Sequence, residues 1–287
     1  MPTLWRVAVR GIDAAQVRPE QLHGAMCRLL DPASSTGADA HKATRKGWAV
    51  APLAGDAQAV EMTIGTLSEE CEDAFMSRCR LGEPVIFGEQ QGFVVAEPMV
   101  VQRETWDELS QPTGARKWRI TTLSPSALAS GRRYSPLLVP SSIVGSLSRQ
   151  WEALSDVRIP RLTGPQNADL WVSSMRGSTV VTVVRHDKSP GAKPKVIPGF
   201  MGSLTVEAVN ESIARIADVL LRFGQYAGVG VCTTHGLGAV RIVPSVPKVH
   251  SAASVPNSRR SEAPLVPPST EYGGSALPQV PHLVLKV

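Results

Sequence analysis

The sequence predicts an α+β protein made of two successive β-α-β-β-α-β units and a C-terminal tail. Apolar residues make up 43% of the 287 residues, which is enough for a buried core and excludes a wholly disordered chain. The length exceeds the roughly 150 residues of an average domain and therefore favours two domains. Short β-branched and aromatic runs alternate with helix-periodic runs, in the same order in each half of the chain.

The first half, residues 1–113, contains the elements of one complete unit. Its first helix begins at Arg18-Pro19, because proline suits the first helical position. Its second helix begins after Ser68, whose hydroxyl can cap the helix. The strands are predicted at residues 4–9, 48–53, 60–67, 84–87 and 93–101.

The second half, residues 114–243, repeats this order. One helix is predicted after Pro140, and another begins at Glu211 with Asn210 as its cap. The strands are predicted at residues 118–122, 179–184, 196–206 and 239–243. Two copies of this order predict two tandem ferredoxin-like domains, the arrangement of the RNA-recognition motif, joined by a short helical link near residues 105–110.

The last segment, residues 244–287, has a different composition. It contains eight prolines and seven serines in 44 residues. Such a composition cannot bury a core, so this segment is predicted to be a disordered tail.

The formal net charge of +5 conceals an asymmetry between the two halves. Residues 1–113 carry 10 Lys and Arg against 16 Asp and Glu, whereas residues 114–243 carry 16 against 7. Cations that neutralise phosphates dominate nucleic-acid affinity, so the second half is expected to hold a polyanion. An interface with an acidic protein is an alternative that charge alone leaves open.

Several function classes are disfavoured by simple patterns. The four cysteines show no CxxC spacing, which argues against a zinc site or a disulfide framework. No apolar run approaches the roughly 18 residues of a membrane span, and the first residues do not resemble a secretory signal. We therefore expect a cytoplasmic protein that uses neither a metal nor another cofactor and does not bind a membrane.

Residues 227–239 contain two Gly-apolar-Gly triplets, Gly228/Gly230 and Gly236/Gly238, separated by five residues. Glycine permits positive φ and lets backbone N–H groups approach a phosphate. The glycines lie between a predicted helix and a strand, the reverse of the order in a dinucleotide-binding fingerprint. A tight turn without a ligand is the alternative on spacing alone.

This double triplet resembles the glycine-rich loop of the RAMP superfamily. Residues 118–125, 138–151 and 198–202 also resemble its segments, and within it the chain is similar to the CRISPR-associated endoribonuclease that cleaves precursor CRISPR RNA inside each repeat. The resemblance covers about residues 1–243 and implies that the four glycines bind RNA. The family usually has Lys or Arg between its glycine pairs, where this sequence offers His235.

The resemblance also implies a metal-free reaction, in which the substrate's 2′-hydroxyl attacks the adjacent phosphate to give a 2′,3′-cyclic phosphate and a 5′-hydroxyl. Such a reaction needs an acid, a base and a cation near the phosphorane. In the family the catalytic histidine follows the first helix, with a lysine a few residues on. His41 and Lys46 match that placement. The less favoured candidates are Lys42, Arg45, His235 and His23.

Further basic residues are candidates for RNA binding. The polar loop after the second domain's second strand matches a hairpin that contacts the repeat stem in the family. The candidates in and outside this loop are Arg185, Lys188, Lys193, Lys195, Arg116, Lys117, Arg119, Arg132 and Arg133. For each of them a solvated surface charge is the alternative.

The expected partners are CRISPR repeat RNA and its crRNA product. Other CRISPR effector subunits and a second copy of the chain are additional candidates. One alternative function is a non-catalytic RAMP subunit that binds crRNA in an effector complex. Another is a double RRM-like regulator of other RNAs, which would be expected to carry stacking aromatics on its strands.

Overall fold

A computed structural model describes residues 1–32, 46–55, 59–185 and 194–245. The described residues all lie within one compact unit, Met1–Pro247. The predicted tail lies outside the described residues apart from Pro244 and Ser245, with which the last strand ends.

The first sheet contains seven strands in the order β2-β4-β1-β6-β5, with β3 paired to β4 and β7 paired to β1. Two helices, α1 (Pro19–Leu30) and α2 (Glu69–Arg78), belong to this half of the chain. The strands are β1 (Thr3–Arg10), β2 (Trp48–Val50), β3 (Ala54–Gly55), β4 (Val60–Thr66), β5 (Pro84–Phe87), β6 (Gln90–Val94) and β7 (Met99–Arg103).

The second sheet has four strands in the order β11-β12-β8-β13, and β9 and β10 form a separate hairpin. The strands are β8 (Lys117–Thr122), β9 (Leu128–Ser130), β10 (Arg133–Ser135), β11 (Leu170–Val184), β12 (Lys195–Ala208) and β13 (Val240–Ser245). The helices are α3 (Trp106–Ser110), α4 (Pro140–Leu154), α5 (Gly164–Asn167) and α6 (Glu211–Ala227).

The two sheets confirm the predicted fold class. In each, the unit's third strand pairs with both its first and second strands, and the fourth strand lies on the other side of the first. All of these pairs are antiparallel, as a ferredoxin-like domain requires. The sequence order β-α-β-β-α-β thus produces the same sheet twice.

Two strands differ most from their predicted bounds, each for a physical reason. The predicted strand at residues 93–101 is split into β6 and β7, with Pro98 between them, and proline has no N–H to donate to a ladder. Strand β11 begins at Leu170 rather than at residue 179. Its first half is rich in serine and glycine, so its extended form depends on pairing with β12 rather than on intrinsic propensity.

The segment that joins the two halves is held against α6 by a network around Glu104. Tyr226 Oη donates a hydrogen bond to Glu104 Oε2 over 2.6 Å, and Arg222 Nη1 donates to Glu104 Oε1 over 3.1 Å. Arg222 Nη2 also donates to the carbonyls of Leu109 and Gln111. Because α6 leads directly into the glycine-rich segment, this network fixes that segment relative to the first sheet.

None of the helices in the described ranges combines the length and the apolar character needed to cross a membrane.

Candidate functional site

The glycine-rich segment connects α6 to β13, as the sequence predicted. All four of its paired glycines have positive φ, at +72° for Gly228, +103° for Gly230, +85° for Gly236 and +73° for Gly238. Side chains with a Cβ rarely adopt this region, so the backbone itself requires glycine at these positions.

Close contacts with the neighbouring backbone add a second requirement. A Cβ on Gly230 would lie 2.1 Å from the carbonyl oxygen of Ala127, and one on Gly238 would lie 2.5 Å from that of Val229. Val231 N donates to Ala127 O over 2.9 Å, and Gly238 N donates to Pro125 O over 3.0 Å. The segment is therefore a closed loop packed on residues 125–127.

The tip of this loop contacts the first half of the chain through two histidines. The rings of His23, from α1, and His235 are parallel within 3°, with their centroids 4.0 Å apart. His23 Nδ1 lies 3.1 Å from the carbonyl oxygen of Thr234, which can only accept, so this nitrogen carries a proton. His23 Nε2 lies 3.4 Å from Cys27 Sγ. The two less favoured histidine candidates, His23 and His235, therefore lie side by side. They are distant in sequence: His23 and Thr234, the residue before His235, are 211 residues apart.

A recess of about 160 Å³ opens beside this histidine pair. Its lining includes Leu22 from α1, Pro52 and Leu53 from the segment after β2, and His235 and Gly236 from the loop. Both halves of the chain thus contribute to one concave surface next to the glycine-rich loop.

Lys46, just before β2, forms an ion pair with Asp31, just after α1. Its Nζ is 2.6 Å from Asp31 Oδ2, and the two side chains are only 11% and 15% exposed. Trp48 Nε1 donates to the other carboxylate oxygen of Asp31 over 3.0 Å. The pair joins the end of α1 to the start of β2. The other residues predicted here, His41, Lys42 and Arg45, lie outside the described residues.

Cys27 is next to His23 but is not an activated nucleophile. Burial, reinforced by the nearby Asp31 carboxylate, raises the pKa of the Cys27 thiol to about 12. A thiol with that pKa stays protonated at neutral pH, which disfavours Cys27 as the nucleophile of a cysteine–histidine pair. Within the described ranges, no group of three or more His, Cys, Asp or Glu side chains could hold a metal ion.

The thiol pKa values predict slow alkylation of the folded protein. Cys27 and Cys79 both have pKa values raised to about 12, chiefly by burial. At about pH 8.5 iodoacetamide should therefore label them roughly several-hundredfold more slowly than in the urea-unfolded chain. Peptide mass spectrometry over time measures both rates. Equal rates in the folded and unfolded chain would contradict the structure around these thiols.

The predicted RNA-binding cations have different surroundings. Arg116 and Lys117 already form ion pairs, with Glu211 over 3.3 Å and with Glu207 over 2.7 Å. Arg119 is exposed within β8, and the others that the structure describes are exposed at the β9–β10 hairpin or at the loop ends of β11 and β12: Arg132, Arg133, Arg185 and Lys195. Lys188 and Lys193 lie outside the described residues.

Two arginines that no sequence motif singled out lie on the same sheet face as Arg119. Arg176 on β11 and Arg241 on β13 are exposed, and their strand registers place them opposite residues of the same face. Alternation of polar and apolar residues in β8 and β13 could have indicated that face. The position of Arg176 on the same face could not be predicted, because it depends on the register between β11 and β12, which the sequence does not specify.

Comparison with known proteins gives a consistent result. The family model of the CRISPR-associated endoribonuclease Cas6 matches residues 120–240. Two curated Cas6 endoribonucleases from Mycobacterium tuberculosis strains are 29% identical over 136 residues. That match covers 46% of this chain and 41% of either relative, so the chain aligns with less than half the length of these curated proteins.

Solved structures match over a larger share of the chain. A Cas6 product complex has a TM-score of 0.68 at 21% identity and covers 84% of this chain and 99% of that chain. A Thermus thermophilus Cas6 has a TM-score of 0.58 at 20% identity and covers 85% and 98%. These matches show the fold, and together with the family model they confirm the resemblance predicted from the glycine-rich loop.

Proposed function

We propose, from the premise that this chain resembles Cas6 in sequence and in fold, that it is an endoribonuclease that cleaves precursor CRISPR RNA within its repeats. The observation that carries the proposal is the match of the Cas6 family model to residues 120–240. This range contains the loop whose four glycines adopt positive φ and pack against neighbouring backbone. The product is a crRNA, and the reaction uses no metal.

The proposed chemistry is a transesterification within the RNA. The 2′-hydroxyl oxygen forms a bond to the adjacent phosphorus as the bond from phosphorus to the 5′-oxygen breaks. A base takes the 2′-hydroxyl proton, and an acid protonates the leaving 5′-oxygen. A 2′,3′-cyclic phosphate and a 5′-hydroxyl result. We assign His41 as the acid or the base, because histidine ordinarily exchanges protons near neutral pH.

Lys46 has two roles that its contacts support. As a cation it can stabilise the charge of the phosphorane, which requires its ammonium group to leave Asp31 for the substrate. As the partner of Asp31 it fixes one end of the segment that carries His41, five residues away in sequence. Lys42 and Arg45 are the alternative cations if Lys46 acts only through its ion pair.

The contacts of His23 argue that it positions the loop rather than transfers protons. Its Nδ1 contacts the Thr234 carbonyl and its Nε2 contacts Cys27, so both nitrogens are occupied within the protein. His235 stacks on it and remains the alternative acid or base. The four glycines, with Arg185 and Lys195 at the ends of a long hairpin, are proposed to bind the RNA.

We further propose that the two domains have different functions. Residues 1–113 carry the catalytic segment, and residues 114–243 bind RNA through the glycine-rich loop and the basic surface. The substrate is a transcript, which supports the expected cytoplasmic location. Other effector subunits and a second copy of the chain stay predicted partners.

The test is incubation of the purified full chain with an RNA containing its cognate repeat, in excess EDTA. We expect one cut per repeat, and a 5′-hydroxyl product that polynucleotide kinase labels without prior phosphatase treatment. Binding without a cut would favour the non-catalytic crRNA-binding subunit instead. A cut that EDTA abolishes would contradict the metal-free reaction but retain the nuclease.

A further inference from the structure

One face of the second sheet carries three arginines in adjacent register rows. Arg241 on β13 lies opposite Thr121 on β8, Thr121 opposite Ser203 on β12, and Ser203 opposite Arg176 on β11. Arg119 is two residues before Thr121, so its side chain lies on the same face in the neighbouring row. At about 4.8 Å per strand, these cations spread over roughly 14 Å of the sheet.

This face is the open one. The alternate residues Trp118, Ile120 and Leu204 are buried in the core on the side of the helices. Arg119, Arg176 and Arg241 are all exposed. The arginines therefore point away from the core into solvent.

The three guanidinium groups have no acidic partner among the described residues: no carboxylate lies within 4.0 Å of any of them. In contrast, Lys117 one row away is paired with Glu207. Three neighbouring cations without a carboxylate repel one another, and an anion bound across them relieves that repulsion.

The two central strands carry no base-stacking side chains on this face. A sheet that binds RNA as an RNA-recognition motif does would present aromatics there. Strands β8 and β12 carry Arg119, Thr121 and Ser203 on this face instead, together with Thr205, which is buried. Trp171, half exposed, lies opposite Glu207 on the edge strand β11. The chemistry of the central face therefore suits phosphate and hydroxyl groups rather than bases.

The face is continuous with the glycine-rich loop. Strand β13 begins two residues after Gly238, and Arg241 is the third residue after that glycine. Strand β8 leads towards Pro125, whose carbonyl accepts a hydrogen bond from Gly238 N. Both β8 and β13 therefore connect the loop region to this sheet, so an RNA strand held at the loop can extend along them onto the sheet face.

We propose that this face, defined by Arg119, Arg176 and Arg241, binds the phosphate backbone of a single-stranded part of the RNA. The inference rests on the proposed function for the identity of the RNA. Arginine suits this role because its planar fork donates two hydrogen bonds to one phosphate. Binding here is independent of base sequence and holds the RNA that continues from the glycine-rich loop.

The experiment compares the full chain with the triple variant R119Q/R176Q/R241Q in binding a fluorescent oligouridine and the repeat RNA at several salt concentrations. Each phosphate contact to a single strand contributes about 0.7 to the slope of log K against log salt. Loss of three should lower that slope by about 2 and weaken binding about 500-fold at 50 mM salt, with the difference vanishing towards 1 M.

Two controls separate this face from net charge and from stacking. The variant R10Q/R80Q/R158Q removes the same charge from exposed arginines elsewhere and should change the slope much less. The inference is overturned if the two triple variants behave alike. It is also overturned if Trp171→Ala weakens oligouridine binding more than the sheet-face variant does, because stacking would then dominate.

Cleavage by the unmodified chain distinguishes the two proposals. If the chain binds RNA through the arginines but does not cut the repeat, the sheet-face inference stands and the proposed nuclease activity fails. If the chain cuts the repeat and the sheet-face variant binds and cuts as the control does, the nuclease stands and this inference fails.

Discussion

Replacing His41 by alanine is expected to lower the rate of repeat-RNA cleavage by about 10²–10⁴-fold, which is the usual contribution of a positioned acid or base. The reason is that the 2′-hydroxyl and the leaving 5′-oxygen both need proton transfer near neutral pH. Single-turnover rates with protein in excess measure the chemical step, so that weaker binding does not enter the result. His250→Ala, in the tail, is the matched histidine control.

A His41→Ala rate within about twofold of the unmodified chain would contradict the assignment, since a missing acid or base costs far more. His235→Ala would then be the next variant, because His235 lies on the recess between α1 and the loop. The pH profile gives a second readout. Removal of the catalytic histidine should abolish the limb of the profile that titrates near neutral pH.

The same assay distinguishes the two proposed roles of Lys46 when its ion-pair partner Asp31 is replaced. Asp31→Asn leaves the Lys46 charge in place but removes its carboxylate partner. If the ammonium acts on the phosphorane, Asp31→Asn keeps cleavage and Lys46→Ala loses it. If the pair only anchors the segment before β2, both variants should slow cleavage to a similar extent.

Features that depend on neighbouring residues in sequence could be predicted for this chain, whereas features that depend on tertiary packing could not. The glycine-rich loop could be predicted, because positive φ at four positions leaves a local signature in glycine spacing. The stacking of His23 on His235 could not, because it depends on how α1 packs against a loop more than 200 residues later. The ion pair of Lys46 with Asp31 spans only 15 residues, but it too depends on tertiary packing, here of the end of α1 against the start of β2.

The sheet-face arginines show an intermediate case. Arg119 alternates with the buried Trp118 and Ile120, so its solvent-facing position follows from period-2 spacing within one strand. Arg176 lies in a serine- and glycine-rich stretch for which no strand was predicted, and only its pairing with Ser203 brings it to that face. A local pattern can therefore give the face of one strand, whereas the shared surface requires the register of all four.

Gly230→Ala is expected to reduce the free energy of unfolding by about 3–5 kcal/mol, in the upper range for a single substitution. Two costs combine: the residue has φ of +103°, and its new Cβ would lie 2.1 Å from the Ala127 carbonyl oxygen. That oxygen also accepts the hydrogen bond from Val231 N, so moving it away breaks a contact that closes the loop. Urea unfolding at 25 °C measures the change.

Gly82→Ala separates the two costs, because Gly82 has φ of +84° and no atom within 4 Å of the added Cβ, and it lies outside the proposed RNA-binding residues. It should lose only about 1–2 kcal/mol, the cost of the left-handed conformation alone. Equal losses for the two variants would mean that the close approach to residues 125–127 is not needed. Under conditions where both variants are folded, RNA binding should fall for Gly230→Ala alone, because only that substitution displaces the loop from the backbone that shapes it.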